Sequence, residues 1–144
     1  MDRFALLTEF LERGIPFNKH LGIKAIILEK GHARLEIPFR EEMIGDPMRP
    51  ALHGGVLSTL ADTAGGAAVF ASVEDPRSRV STIDLRIDYM RPAKLETLVG
   101  DAHIARIGNK VAVVDVRLFH PSQEGATLAT GKGVYNISVA KKDS

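Results

Sequence analysis

One stretch of the chain dominates what it can fold into. LHGGVLSTLADTAGGAAVF, residues 52–70, sets Val56, Leu57, Leu60, Ala61, Ala64, Ala67, Ala68 and Phe70 around nearly the whole circumference of a helix. A helix that is apolar on most sides must be buried. Many of these residues are alanines, so other elements can approach its axis closely. The reading is a central helix over 53–71, with the rest of the chain wrapped around it.

The flanking sequence supplies the wrapping. GIKAIILEK and HARLEIPF read as two strands joined in a hairpin at Gly31. In STIDLRIDYM, Ile83, Leu85, Ile87 and Tyr89 alternate with Asp84, Arg86 and Asp88, the pattern of a half-buried strand. LETLVGDAHIARI and KVAVVDVRLFH meet at Gly108-Asn109, a hairpin turn signal, and ATLATGKGVYNISV follows the turn at PSQEG. REEMIGDPMRPA reads as loop, because prolines and glycine break any period. Residues 1–18 form a helical segment capped by Asp2, with Phe4, Leu7, Phe10 and Leu11 at helical spacing and an end at Gly14 and Pro16. Hairpin-linked strands predict an antiparallel sheet with one wetted face, whose other face the long helix covers. The expectation is an α+β domain spanning 1–144, with five or six strands around one helix.

Composition narrows the function. The formal net charge of +1 gives no global field to recruit nucleic acid or an anionic membrane. The absence of cysteine removes disulfides, thiolate nucleophiles and thiolate metal sites. No apolar run reaches the roughly 18 residues of a membrane span, and the acids in MDRFALLTEFLERG argue against a signal peptide. A cytoplasmic location is expected. His20, His32, His103 and His120 show no spacing suited to a metal, and no metal or nucleotide cofactor is expected.

Asp62 is then the anomaly. With Ser58, Thr59 and Gly66 it makes the only narrow polar stripe on the helix, which places it on a cleft or on an exposed face. His53-Gly54-Gly55 sits where the helix begins, where unpaired N–H groups and a partial positive charge suit a carbonyl oxygen becoming negative. The same three residues also serve as a plain helix-start turn. Gly54 and Asp62 lie eight residues apart, roughly 12 Å along one helix. One carbonyl group cannot touch both unless they come from two copies of the chain. Shared action therefore predicts a two-fold dimer with the site at its interface.

HGGVLSTLADTAGG, followed by STIDLRIDYMRPA, resembles the hotdog-fold acyl-CoA thioesterases of the PaaI-like group, and the likeness runs from about Leu21 to the last strand. The resemblance implies a sheet wrapped around the helix, dimers that often pair into tetramers, and hydrolysis of an acyl-CoA in which CoA is substrate rather than cofactor. By resemblance, Asp62 is the nucleophile or the base toward water, the Gly54 N–H polarises the thioester oxygen, His53 lies beside the thioester, and Thr82 positions the water or the aspartate. Gly55, Asp46 and Arg49 border the same place, and Arg91, Arg106 and Lys110 are candidates for the CoA phosphates. Related enzymes often carry asparagine where this chain has Pro47, so Asp46 or the loop is expected to supply that contact. Tyr89 and Phe70 are assigned to the core. Small aromatic or short- to medium-chain acyl groups are the expected substrates. The competing readings are a hydratase or dehydratase pairing His53 with Asp46 or Asp62, and a non-catalytic acyl-CoA sensor.

Overall fold

The computed structural model describes residues 2–139. Helix α1 (Arg3–Glu9) is capped by the Asp2 carboxylate, which accepts the Ala5 N–H, and passes through a single π-helical turn at Phe10–Gly14. This helix ends at Gly14, as expected, with Ile15 extended. Pro16 opens α2 (Pro16–Leu21), because its missing N–H costs nothing in a first turn. The hairpin β1 (Lys24–Glu29) and β2 (His32–Ile37) turns at Gly31, whose φ of +84° requires glycine. The segment read as loop contains a small hairpin, β3 (Ile44–Asp46) with β4 (Ala51–Leu52), which leads the chain into α3 (Gly54–Ser72). Then come β5 (Ser78–Tyr89), β6 (Leu98–Ile107), β7 (Val111–Phe119) and β8 (Ala129–Val139).

Six strands form one antiparallel sheet in the order β1-β2-β6-β7-β8-β5, and α3 lies against its concave face. This is the expected hotdog arrangement. The helix buries Leu57, Leu60, Ala64, Ala68 and Val69 in one cluster with the alternate residues Leu35, Ala102, Val114 and Leu118 of the strands. Burial of this contiguous apolar surface is the main stabilising term of the domain. It leaves one face of α3 only half-buried, the face of Thr59, Asp62, Thr63, Gly66 and Phe70.

Two features of β5 and β8 set up that open face. The register of β5 against β8 slips between Thr82 and Asp84, so Ile83 is a bulge. The bulge resets the alternation. Leu85 and Ile87 face the helix as the sequence predicts, but Ile83 is 58% exposed and Thr82 takes the helix-facing position opposite Tyr135. Tyr135 is fully buried, its ring lying where a Cβ on Gly65 or Gly133 would overlap it. The Gly65→Ala protein is therefore expected to lose about 1–3 kcal/mol through displaced packing, read as a lower urea midpoint with an unchanged slope.

Candidate active site

Asp62 sits at the middle of α3, half-buried, with two hydroxyl groups on it. Thr82 Oγ1 donates to Asp62 Oδ1 at 2.7 Å. The Tyr135 hydroxyl lies 2.9 Å from the Asp62 carbonyl oxygen and 3.3 Å from Oδ1. Burial, and next the nearby Asp62 carboxylate, push the Tyr135 phenol above its ordinary range, so Tyr135 remains a proton donor. The two hydroxyls fix one oxygen of the carboxylate, and the other has no protein donor among the described residues. The sequence reading missed Tyr135. Its signal was the glycine pair 65–66 together with GKGVY, which marks a close approach around one large ring.

The start of α3 is built by a different set of contacts. The His53 N–H donates to the Met43 carbonyl at 2.8 Å, and a Cβ on Gly45 would overlap the His53 backbone. The small β3–β4 hairpin thus fixes the entry to the helix. His53 caps it through Nδ1, which accepts the Gly55 N–H at 2.8 Å. That bond occupies Gly55, whereas the Gly54 N–H has no partner among the described residues. Tyr89 is no core residue, contrary to expectation. It is 55% exposed, its hydroxyl donates to the Gly54 carbonyl at 3.0 Å, and its ring edges a groove of about 300 Å³. Gly54, Leu57 and Arg91 line the same groove. Phe70 also lies outside the core cluster; it is half-buried, in edge contact with Phe10.

The fold brings some of the candidate residues together and separates others. Thr82 meets Asp62, and Arg91 lines one groove with Gly54, but Gly54 and Asp62 lie eight residues apart on one continuous helix, about 12 Å along its axis. Asp46 does not reach either place. Its Oδ1 accepts the N–H groups of Met48 and Arg49, and Arg49 is almost fully exposed beside it. The turn around Pro47 holds one oxygen of that carboxylate, and no hydrogen bond joins Asp46 to His53 among the described residues. Arg106 and Lys110 stand at the β6–β7 turn, at the end of the sheet opposite Tyr89 and Arg91.

Among the remaining histidines, three make structural contacts. His120 is buried, with Nε2 accepting the Lys94 N–H and Nδ1 on the Thr97 carbonyl, which ties down the β5–β6 connection. His32 and His103, 71 residues apart in sequence, are direct partners across β2 and β6, and both contact Asp101. Strand pairing assembles this His–Asp–His group, which no spacing in the sequence shows.

Comparison with known proteins agrees with this fold. The sequence profile of the Thioesterase superfamily matches residues 50–127, which include α3 and all of β5. The chain is 35% identical over 130 residues to medium/long-chain acyl-CoA thioesterase YigI of Escherichia coli, covering 82% of this chain and 84% of the relative. A Shewanella oneidensis protein related to the thioesterase superfamily superposes with a TM-score of 0.81 at 28% identity, over 93% of this chain and 94% of that one. The fold is also shared with a Haemophilus influenzae thioesterase, with a TM-score of 0.82 at 19% identity over 99% and 94% of the two chains.

Replacing Tyr135 with phenylalanine removes both contacts to Asp62 while keeping the ring. It is expected to cost about 1–2 kcal/mol, measured by urea denaturation.

Proposed function

Because the chain belongs to the thioesterase superfamily and is a thioester hydrolase, we propose that it cleaves acyl-CoA at sites shared between two copies of itself. The observation that carries this reading is the division of the machinery along α3. The Gly54 N–H, free at the helix start, and Asp62, oriented by Thr82 and Tyr135, lie too far apart to act on one carbonyl within a chain.

A two-fold axis solves the problem. β5 is a 12-residue strand at the edge of the sheet, with Ile83 and Tyr89 exposed along it. An unpaired edge of that length is a template for another strand. Antiparallel pairing of two β5 edges brings the open faces of two α3 helices side by side in opposite directions. Gly54 of one copy then stands near the partner's Asp62. Arg106 and Lys110 of the partner subunit come to the end of the sheet that carries Arg91, and the three cations are suited to the CoA phosphates. Two such dimers can further associate into a tetramer.

The chemistry follows from the groups. The Gly54 N–H at the positive end of α3 stabilises the oxyanion as the carbonyl carbon becomes tetrahedral. The unbound oxygen of Asp62 either attacks that carbon, giving an anhydride that water then cleaves, or takes a proton from the water that attacks. In both routes the C–S bond breaks, CoA leaves as thiolate and is then protonated, and the acid is released. His53, its Nδ1 held by the cap, presents its other nitrogen beside the thioester.

The acyl group is the further part of the reading. Asp62, Gly66 and Phe70 follow one another along the open face of α3. Gly66 leaves a passage without a side chain, and Phe70 borders an apolar groove of about 660 Å³ shared with Leu6, Leu7 and Phe10 of the N-terminal helix. That path, and the medium/long-chain activity in the name of the Escherichia coli relative, favour medium or long acyl chains over small aromatic ones.

The test is free-CoA release across a panel from acetyl- to palmitoyl-CoA, including phenylacetyl-CoA. The wild-type chain is expected to prefer the medium and long members. Asp62→Asn should lower turnover by about three orders of magnitude with the circular dichroism spectrum unchanged. Hydrolysis by that variant at the wild-type rate contradicts the role given to Asp62, and conversion of crotonyl-CoA to hydroxyacyl-CoA without CoA release contradicts the reaction class.

A further inference from the structure

β2 and β6 place His32 directly opposite His103, with Asp101 two residues along from His103. Ala33 and Ala102, the alternate residues, fill the core against α3, so the three side chains stand together on the outer face of the sheet. His32 Nε2 is 2.6 Å from Asp101 Oδ1, and His103 Nε2 is 3.0 Å from Oδ2. The two rings stack with centroids 4.1 Å apart. One donor atom from each residue lies within 4.8 Å of the others.

The hydrogen-bond count at His32 is the informative part. Its Nδ1 faces Glu29 Oε1 at 3.1 Å while its Nε2 faces Asp101. An ionised carboxylate only accepts, and a neutral imidazole has a single proton to give. As they stand, the two contacts need both ring nitrogens of His32 protonated, and a metal ion would bind here by displacing the Nε2 proton. Glu29 on Nδ1 directs the Nε2 lone pair toward Asp101, as outer carboxylates do for metal-binding histidines.

The geometry points to His32, Asp101 and His103 as a binding site for a first-row divalent transition metal, with zinc as the representative ion. Two imidazole nitrogens and one carboxylate oxygen suit zinc, cobalt or nickel, whereas magnesium and calcium take oxygen donors. His103 is exposed, so its ring is free to turn its lone pair toward a shared ion and water can complete the coordination. Arg34 opposes the ion. Its Nε sits 3.0 Å from Asp101 Oδ1, which leaves Oδ2, on the His103 side, as the metal ligand and limits the affinity. Arg34 also lies over the Phe119 ring and reaches Glu124, so it holds the carboxylate in place. The ion would tie β2 to β6 and takes no part in thioester cleavage.

The experiment is a calorimetric titration of the metal-free full chain with zinc chloride at neutral pH, beside His103→Ala and His20→Ala. One zinc per chain is expected, with a raised melting temperature in its presence. Loss of His103, an exposed side chain whose removal leaves the core intact, should weaken binding at least about tenfold. His20→Ala should bind as the wild type does. No saturable binding, meaning that the cluster takes only a proton, overturns the proposal. So does zinc binding that His103→Ala leaves unchanged.

Discussion

The hydrogen bonds that hold Asp62 organise this structure around its site. A carboxylate halfway along a helix packed into a sheet is costly to bury unless donors meet it. Here Thr82 and Tyr135 meet it from paired positions on neighbouring strands. Each donor depends on a particular departure from regularity. Thr82 faces the helix because Ile83 bulges, and Tyr135 fits because Gly65 and Gly133 have no side chains. The apolar packing of α3 sets the frame, and these adjustments turn one point of it into a polar, oriented site.

The second consequence is that the site is divided. The face of α3 bearing Asp62 is only partly covered by its own sheet, and the helix start with its free N–H is about two turns away. The edge strand beside it is long and carries exposed apolar residues. A second copy covers both features at once, so in the proposed function association and catalysis have a common physical origin.

Much of this was legible in the sequence, for reasons that differ by element. The long helix was legible because apolar residues fill nearly its whole circumference, and β6 and β7 because alternation and a Gly-Asn turn coincide. Thr82 near Asp62 came from resemblance alone; strict alternation along β5 turns Ile83 inward instead, since a bulge leaves no mark on a run of alternating residues. Tyr135 reads as core because its ring is core, while its hydroxyl meets an acid 73 residues away. Tyr89 and Phe70 were misassigned because aromatic residues on periodic segments look buried until the packed faces are known. The His32–Asp101–His103 group depends on the pairing of β2 with β6 across the whole length of α3, a contact that no local pattern encodes.

The division of the site between subunits is tested most directly by complementation. Asp62→Asn and Gly54→Pro chains, the second lacking the N–H at a first helical position that accepts proline, are each expected to be inactive alone; they are unfolded together, refolded as a mixture and assayed for CoA release. If Gly54 of one copy works with Asp62 of another, half of the sites in each mixed dimer are intact, and the mixture should recover about a quarter of wild-type activity. A mixture as inactive as its two components would contradict the shared site.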